Sequence, residues 1–265
     1  MHLGAEFQRI CDEAARAGGR KLLDFAGRAQ VREKGPSDLV TEADWASQEA
    51  IRQVLLGAFP DHGFISEELD QPVNPQAELC WVVDPLDGTT NYVHQIPHYA
   101  VSIALIERGT PITATILDPV HDELFSASKS GGAWLNGRPI RTSSATDPAK
   151  SIVAASFAAH VSADSPEIEQ FRSVLLNCQA VRRTGSAALN LAYLAAGRFD
   201  AFWSMSTKAW DVAAGILLVE EAGGAICHVS GAPFELSLPH PLATATVELQ
   251  LHFQRLLQGA TARHE

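Results

Sequence analysis

The chain has 265 residues, 46% of them hydrophobic, enough for a sizeable core in one or two domains. Its 20 basic and 31 acidic residues give a net charge of −11, which argues against a nucleic-acid-binding surface. No apolar stretch reaches membrane-spanning length and no apolar signal core opens the chain, so no membrane partner and a cytoplasmic location are expected.

Residues 3–26 predict an amphipathic helix, with Leu3, Phe7, Ile10, Ala14, Leu22 and Phe25 recurring at roughly helical spacing. Gly18 and Gly19 weaken it locally. An extended piece around Val31 leads into the loop Lys34-Gly35-Pro36-Ser37. Residues 44–58 form a second predicted helix, with Ala46, Ala50, Val54 and Ala58 on one face and Pro60 beyond its end. Phe64-Ile65 reads as a short strand, and 71–78 as a polar loop. Strand character dominates from 80 to about 140, with 100–106 and 112–117 rich in β-formers. Asp118 to Asp122 forms a turn, Glu123 to Ala127 returns as a hairpin partner, and Asn136-Gly137 marks another turn.

Residues 141–150 are polar and poor in strand formers. They divide the chain into an N-terminal half, 1–145, and a C-terminal half, 146–265, which are expected to pack as a single unit. Beyond them come a strand at 152–156, helices at 165–176 and 186–196, a strand at 199–204 and a helix at 211–222 closed by Gly223-Gly224. The four cysteines, Cys11, Cys80, Cys178 and Cys227, are far apart and suit a reducing compartment better than a zinc site or a disulfide framework.

The run Trp81-Val82-Val83-Asp84-Pro85-Leu86-Asp87-Gly88-Thr89-Thr90-Asn91 carries the chemistry. An apolar strand delivers two carboxylates to its end. It then turns through Gly88 into backbone N–H groups that can hold an anion. Acids beside an anion site call for a cation between them, which points to a metal-dependent phosphate enzyme. Glu67 follows a short strand, Asp44 stands just ahead of a helix, and Asp211 follows Trp210 at another helix start. Taken singly, Asp44 and Asp211 read as helix N-caps, Glu67 as a loop acid, and Asp-Pro and Asp-Gly as turn chemistry. Their combination is far less common. A phospho-aspartate route through Asp84 would want a DxDx[TV] spacing, which Asp84-Pro85-Leu86-Asp87 lacks.

These segments resemble the signatures of the inositol monophosphatase family of magnesium-dependent phosphatases. Further stretches match in order: Asp38 to Asp44, Phe64 to Glu68, Gly185-Ser186-Ala187-Ala188, and Trp210 to Gly215 running on to Gly224. The resemblance implies an α/β (α+β) fold, a layered αβαβα sandwich of the sugar-phosphatase type. Its larger sheet is mixed, mostly antiparallel, and its smaller sheet is C-terminal. It implies one Mg2+ on Glu67, Asp84 and the Leu86 carbonyl, a second on Asp84, Asp87 and Asp211, and a third, weaker site served by Glu67. Mn2+ can substitute and Li+ inhibits. All-oxygen donors without histidine or cysteine suit Mg2+ rather than zinc.

By the same resemblance, Gly88 and Thr89 hold the phosphate. Thr89 and Asp44 orient and deprotonate a metal-activated water, and Glu67 shares the catalytic centre. Asp87 faces the ester oxygen, and Gly185, Ser186 and Ala187 form the substrate wall. Thr90-Asn91 fits the inositol and fructose-bisphosphate side of the superfamily. Seven residues before Asp211, where inositol phosphatases carry a sugar-binding glutamate, stands Ser204. That substitution weakens the case for inositol 1-phosphate itself. Arg183 and Lys208 are either contacts to a second anion on the leaving group or solvated surface cations. His94, His98 and the tryptophans Trp81, Trp203 and Trp210 suit packing or surface roles.

The expected activity is Mg2+-dependent hydrolysis of an inositol, polyol or sugar monophosphate, the partner being a small phosphate ester. Fructose-1,6-bisphosphate and histidinol phosphate are alternatives, as is a regulatory binding protein that keeps the fold. A homodimer is implied by family analogy.

Overall fold

A computed structural model describes residues 3–35, 38–158 and 160–261 of the chain. Pro36 and Ser37 of the expected loop lie outside the described residues.

Helix α1 (Leu3–Phe25) is followed by a hairpin of β1 (Val31–Gly35) and β2 (Asp38–Thr41), then by α2 (Glu42–Ala58). Phe7, Ile10, Ala14 and Leu22 of α1 are buried, as their spacing predicts. Gly18 and Gly19 do not interrupt the helix. A Cβ on Gly18 would stand 2.7 Å from Ile51 of α2, and one on Gly19 would stand 2.7 Å from Leu117. These glycines let α1 approach its neighbours closely, and that contact offsets their poor helix propensity.

A seven-stranded sheet follows: β3 (Gly63–Ser66), β4 (Leu79–Asp87), then, after the short helix α3 (Thr89–Val93), β5 (Ala100–Glu107), β6 (Thr110–Asp118), β7 (Glu123–Ser128), β8 (Gly132–Leu135) and β9 (Arg138–Ile140), in that spatial order. Only β3 and β4 pair in parallel; the other pairs are antiparallel. Asn136 and Gly137 both take positive φ in the β8–β9 turn, the backbone that a tight hairpin demands.

Beyond a non-regular stretch and a 3-10 turn at Pro148–Lys150 come β10 (Ile152–Ser156), α4 (Pro166–Leu175), β11 (Ala180–Arg182), α5 (Ala187–Ala195), β12 (Ala201–Ser204), α6 (Ala209–Glu221), β13 (Ala225–His228), β14 (Pro241–Thr244) and α7 (Val247–Thr261). Their five strands form a mixed sheet in the order β11-β10-β12-β14-β13.

The elements stack in five layers: α1 and α2, the seven-stranded sheet, α5 and α6, the five-stranded sheet, and α4 with α7. Strand β4 is covered on both faces. Trp81 and Val83 face the core beneath α1 and α2, and Val82 faces the core around α5 and α6. A strand buried on both sides has no polar alternation, which is why 81–83 reads as a continuous apolar run.

Candidate metal and phosphate site

The two acids of the Asp-Pro-Leu-Asp run are three residues apart in a strand. Plain alternation would point them to opposite faces. The pairing with β5 resolves this. Asp84 lies opposite Ser102 and Asp87 opposite Ala100, so β4 spends one more residue than its partner. This β-bulge returns Asp87 to the side of Asp84. Pro85, with no N–H to give a ladder, sits inside the bulge, and its carbonyl accepts from Ser47 Oγ at 2.8 Å.

Asp84 is 1% exposed, and its Oδ1 accepts from the Leu86 N–H at 3.0 Å. Glu67 stands at the end of β3, where its N–H donates to the Val83 carbonyl at 3.2 Å. Asp211 enters from α6. Glu67, Asp84, Asp87 and Asp211 line one cleft of about 650 Å³, together with Leu86, Gly88, Thr89, Gly185 and Ala187.

Neither Asp44 nor Asp211 is an N-cap. Each is the third residue of its helix and reaches back to the capping position. Asp44 Oδ2 accepts from Thr41 N at 2.8 Å and from Thr41 Oγ1 at 2.7 Å. The equivalent oxygen of Asp211 accepts from Lys208 N at 2.8 Å. A carboxylate at this position serves the helix start through one oxygen and leaves the other for chemistry. The Thr89 hydroxyl stands 3.5 Å from Asp44 Oδ1 and 3.1 Å from the Leu86 carbonyl. With one proton, it can donate to either but not both.

Gly88 takes φ +94, the left-handed region. A Cβ there would meet the Gly185 and His98 carbonyls at 3.2 Å. The N–H groups that open α3 lack intrahelical acceptors, the feature by which a helix start can take an anion.

Burial and the proximity of other acids dominate the electrostatics of the site. Asp84 is pushed well above its ordinary pKa by burial first, then by the charges of Glu67, Asp87 and Asp211. Asp211 is raised by burial and by Asp87, with Lys208 pulling the other way. Asp87 is pushed up to about 6 by burial, against the hydrogen bonds it receives from Ser186 and Ala188. Asp44 also reaches about 6, again through burial, against the hydrogen bonds from Thr41. Among the described residues no three acid, histidine or cysteine side chains are gathered into a finished cage. The donor set is carboxylate and carbonyl oxygen, and what raises Asp84 besides burial is only more acid. Both features fit a hard divalent cation.

Several residues stand elsewhere than the sequence suggests. Ser186 is fully buried; its hydroxyl donates to Asp87 Oδ2 and accepts from Leu189 N at 3.1 Å as the N-cap of α5. Ser204 is also fully buried, its Oγ accepting from Ser206 N at 3.3 Å. The cleft is lined instead by Ser206 and Thr207. The residue in that glutamate's place is thus buried and is not among those that line the cleft. His94 lines the rim, while His98 packs edge-on against Tyr193. Trp81 and Trp203 are buried in the core. Phe157 and Asn91 also line the cleft. Asn91 closes the signature run, but nothing in the sequence marks Phe157, Ser206 or Thr207. No described helix is long and apolar enough to cross a membrane.

A sequence profile of the inositol monophosphatase family matches residues 5–263. An inositol-1-monophosphatase of Rhizobium meliloti is 42% identical over 213 residues, 79% of this chain and 80% of that one. A protein named Nus factor SuhB from Xylella fastidiosa is 41% identical over 227 residues, covering 84% of this chain and 82% of that protein. Among solved structures, the inositol monophosphatase of Anabaena superposes with a TM-score of 0.87 at 36% identity, covering 96% of each chain. The extragenic suppressor protein suhB of Bartonella henselae gives 0.91 at 36% identity, over 96% of this chain and 98% of that one. The chain therefore belongs to the inositol monophosphatase family, and it is a phosphatase.

Proposed function

We propose that this phosphatase is Mg2+-dependent and hydrolyses inositol monophosphate or a related polyol or sugar monophosphate. The observation that carries this is the convergence of Glu67, Asp84, Asp87 and Asp211 on one cleft beside the Thr89–Asp44 pair. Glu67, Asp84 and the Leu86 carbonyl would hold one ion, and Asp84, Asp87 and Asp211 a second, with Glu67 also serving a weaker third. Bound there, such ions supply Lewis acidity, lowering the pKa of water and offsetting phosphate charge.

The protein's own groups do the rest. The N–H groups at Gly88 and Thr89 orient the phosphate oxygens. Thr89 Oγ1 passes its proton to Asp44 Oδ1 and takes one from the attacking water. Asp44, pushed up to about 6 by burial, suits a base working near neutral pH. Asp44 Oδ2 stays pinned by Thr41, so the accepting oxygen keeps its aim. Gly185 and Ala187 line the leaving-group side. Buried Ser204 supplies no charge there, which favours a broader choice of polyol or sugar over strict preference for inositol 1-phosphate. Two halves divided near 145 and 146, and a homodimer, belong to the same reading.

Phosphate release from a panel of esters, with and without Mg2+, tests it. Metal-stimulated release from polyol phosphates is the expected result. A second reading, a regulatory binding protein that keeps the fold, draws on the relatives named Nus factor SuhB. Absence of metal-stimulated release from every ester would favour that reading.

A further inference from the structure

The Asn91 side chain ties the two walls of the cleft together. It sits in the first turn of α3 and is 8% exposed. Its Nδ2 donates to the His98 carbonyl at 2.7 Å and to the Thr184 carbonyl at 2.8 Å. A side-chain amide has two N–H bonds, so both are spent on main-chain oxygens. Only one orientation of the amide satisfies these two acceptors, because a flipped amide would set oxygen against oxygen.

Thr184 belongs to the C-terminal half and directly precedes Gly185. Its own hydroxyl donates to Asn190 Oδ1 at 2.7 Å, which fixes it to α5. Gly185 takes φ +91, and a Cβ added to it would stand 2.8 Å from Asn91 Nδ2. A Cβ on Gly88 would in turn stand 3.2 Å from the Gly185 carbonyl. The phosphate turn, the Asn91 amide and the Gly185 wall therefore touch with no spare volume. Asn91 also holds the loop behind it, its carbonyl accepting from Ile96 N at 2.8 Å.

We propose that Asn91 is a positioning residue for phosphoryl transfer: its amide fixes the distance between the phosphate turn at Gly88-Thr89 and the leaving-group wall at Gly185. This rests on the reading that the cleft hydrolyses phosphate esters. Both N–H bonds of Asn91 go to main-chain carbonyls, whereas Asp84, Asp87, Asp211 and Asp44 are held by Leu86, Ser186, Ala188, Lys208 and Thr41. Loss of the clamp leaves the donor set in place and lets the wall drift from the ester. A polyol leaving group depends on that wall for alignment. A nitrophenolate departs readily and depends on it little.

The test compares Asn91→Asp and Asn91→Ser with the unaltered chain. The Asp side chain keeps the volume but sets carboxylate oxygens against two carbonyls. Ser keeps one donor on a shorter stem. Assays use inositol 1-phosphate and p-nitrophenyl phosphate at saturating Mg2+. In Asn91→Asp, kcat for inositol 1-phosphate falls by about 10- to 100-fold with KM little changed, while p-nitrophenyl phosphate loses less than about threefold. Asn91→Ser lies between. The rise in Tm on adding Mg2+ persists in both variants.

Equal losses on the two esters, or no loss on either, overturn the positioning role. Should Asn91→Asp fail to fold, Asn91→Ser alone carries the test and must show the same split between esters, in smaller measure. An unaltered chain that releases phosphate from neither ester, with or without Mg2+, overturns the phosphatase reading itself, and the clamp with it.

Discussion

Ser186, the N-cap of α5, donates its hydroxyl to Asp87 Oδ2, the same oxygen that accepts from Ala188 N at 2.8 Å. A carboxylate from the end of β4 is thereby seated on the start of α5. That seat combines charge-assisted hydrogen bonds with the favourable end of the helix dipole. Asp87 still lines the cleft. Ser186 thus acts on the site through Asp87, although its neighbours Gly185 and Ala187 face the cleft directly.

Ser186→Ala should destabilise the chain by about 1–3 kcal/mol, since it removes both a helix cap and a hydrogen bond to a charged group. It should also weaken Mg2+ binding, because Asp87 loses its fixed rotamer. Denaturant unfolding and a Mg2+ titration read the two effects. Unchanged stability together with an increased KM alone would instead make Ser186 a substrate contact.

Thr89→Ala removes the hydroxyl that faces Asp44. Turnover should fall by about 10²–10⁴-fold, the range for loss of positioned proton transfer. The Mg2+-induced rise in Tm should remain. A selective loss of metal binding with turnover preserved at high Mg2+ would contradict the proton-transfer role.

Asp84→Asn keeps the side chain's shape and its acceptor for Leu86 N. It removes a charge that faces three other acids. The chelated variant should melt at a higher temperature than the chelated parent, because like-charge repulsion is relieved. Its Mg2+-induced stabilisation should shrink, and turnover should drop by several orders of magnitude. Near-normal turnover would remove Asp84 from the centre of the site.

Stability of the chelated protein should depend on pH with a defined sign. Asp44 and Asp87 rise from an ordinary 3.8 to about 6 in the folded chain. Between these values the native state holds protons that the unfolded state has released. Stability therefore falls as pH rises from about 4 to about 6. Asp84 and Asp211, also raised well above their ordinary range by burial first and then by neighbouring acids, add to the fall. Above all four values these groups are ionised in both states and contribute no further slope. Saturating Mg2+ should reverse the slope, since protons compete with metal for the same oxygens. Melting curves at several pH values, with chelator and with Mg2+, check this. A chelated chain that gains stability from acid to neutral pH would show the acids to be paired with cations.

Millimolar Li+ should inhibit Mg2+-stimulated phosphate release, the ion competing at the Asp87 and Asp211 oxygens. Dose–response curves at two Mg2+ concentrations check the competition. Insensitivity would remove the lithium-sensitive branch while leaving the hydrolytic chemistry standing.

Much of the layout was legible because local signals and tertiary packing agree. The apolar run at 81–83 is a strand buried on both faces, and the periodicity of Phe7, Ile10 and Ala14 is the buried stripe of α1. Less visible was anything set by a partner far along the chain. No residue pattern announces that a bulge at Pro85 will turn Asp87 toward Asp84, because the extra residue is defined only against β5. Ser186 lies 99 positions from the acid it serves, so its motif revealed a place in the site and not its task. Leu249, Phe253 and Leu257 recur every fourth residue and form the buried stripe of α7. That signal was present in the sequence.

Diffraction from crystals soaked in Mn2+ and inorganic phosphate, collected for anomalous signal, tests the central claim most directly. Peaks between Asp84 and the Glu67, Asp87 and Asp211 carboxylates are the predicted result, with phosphate on the Gly88-Thr89 turn. Carboxylates that stay spread, with no anomalous peak among them, would contradict it.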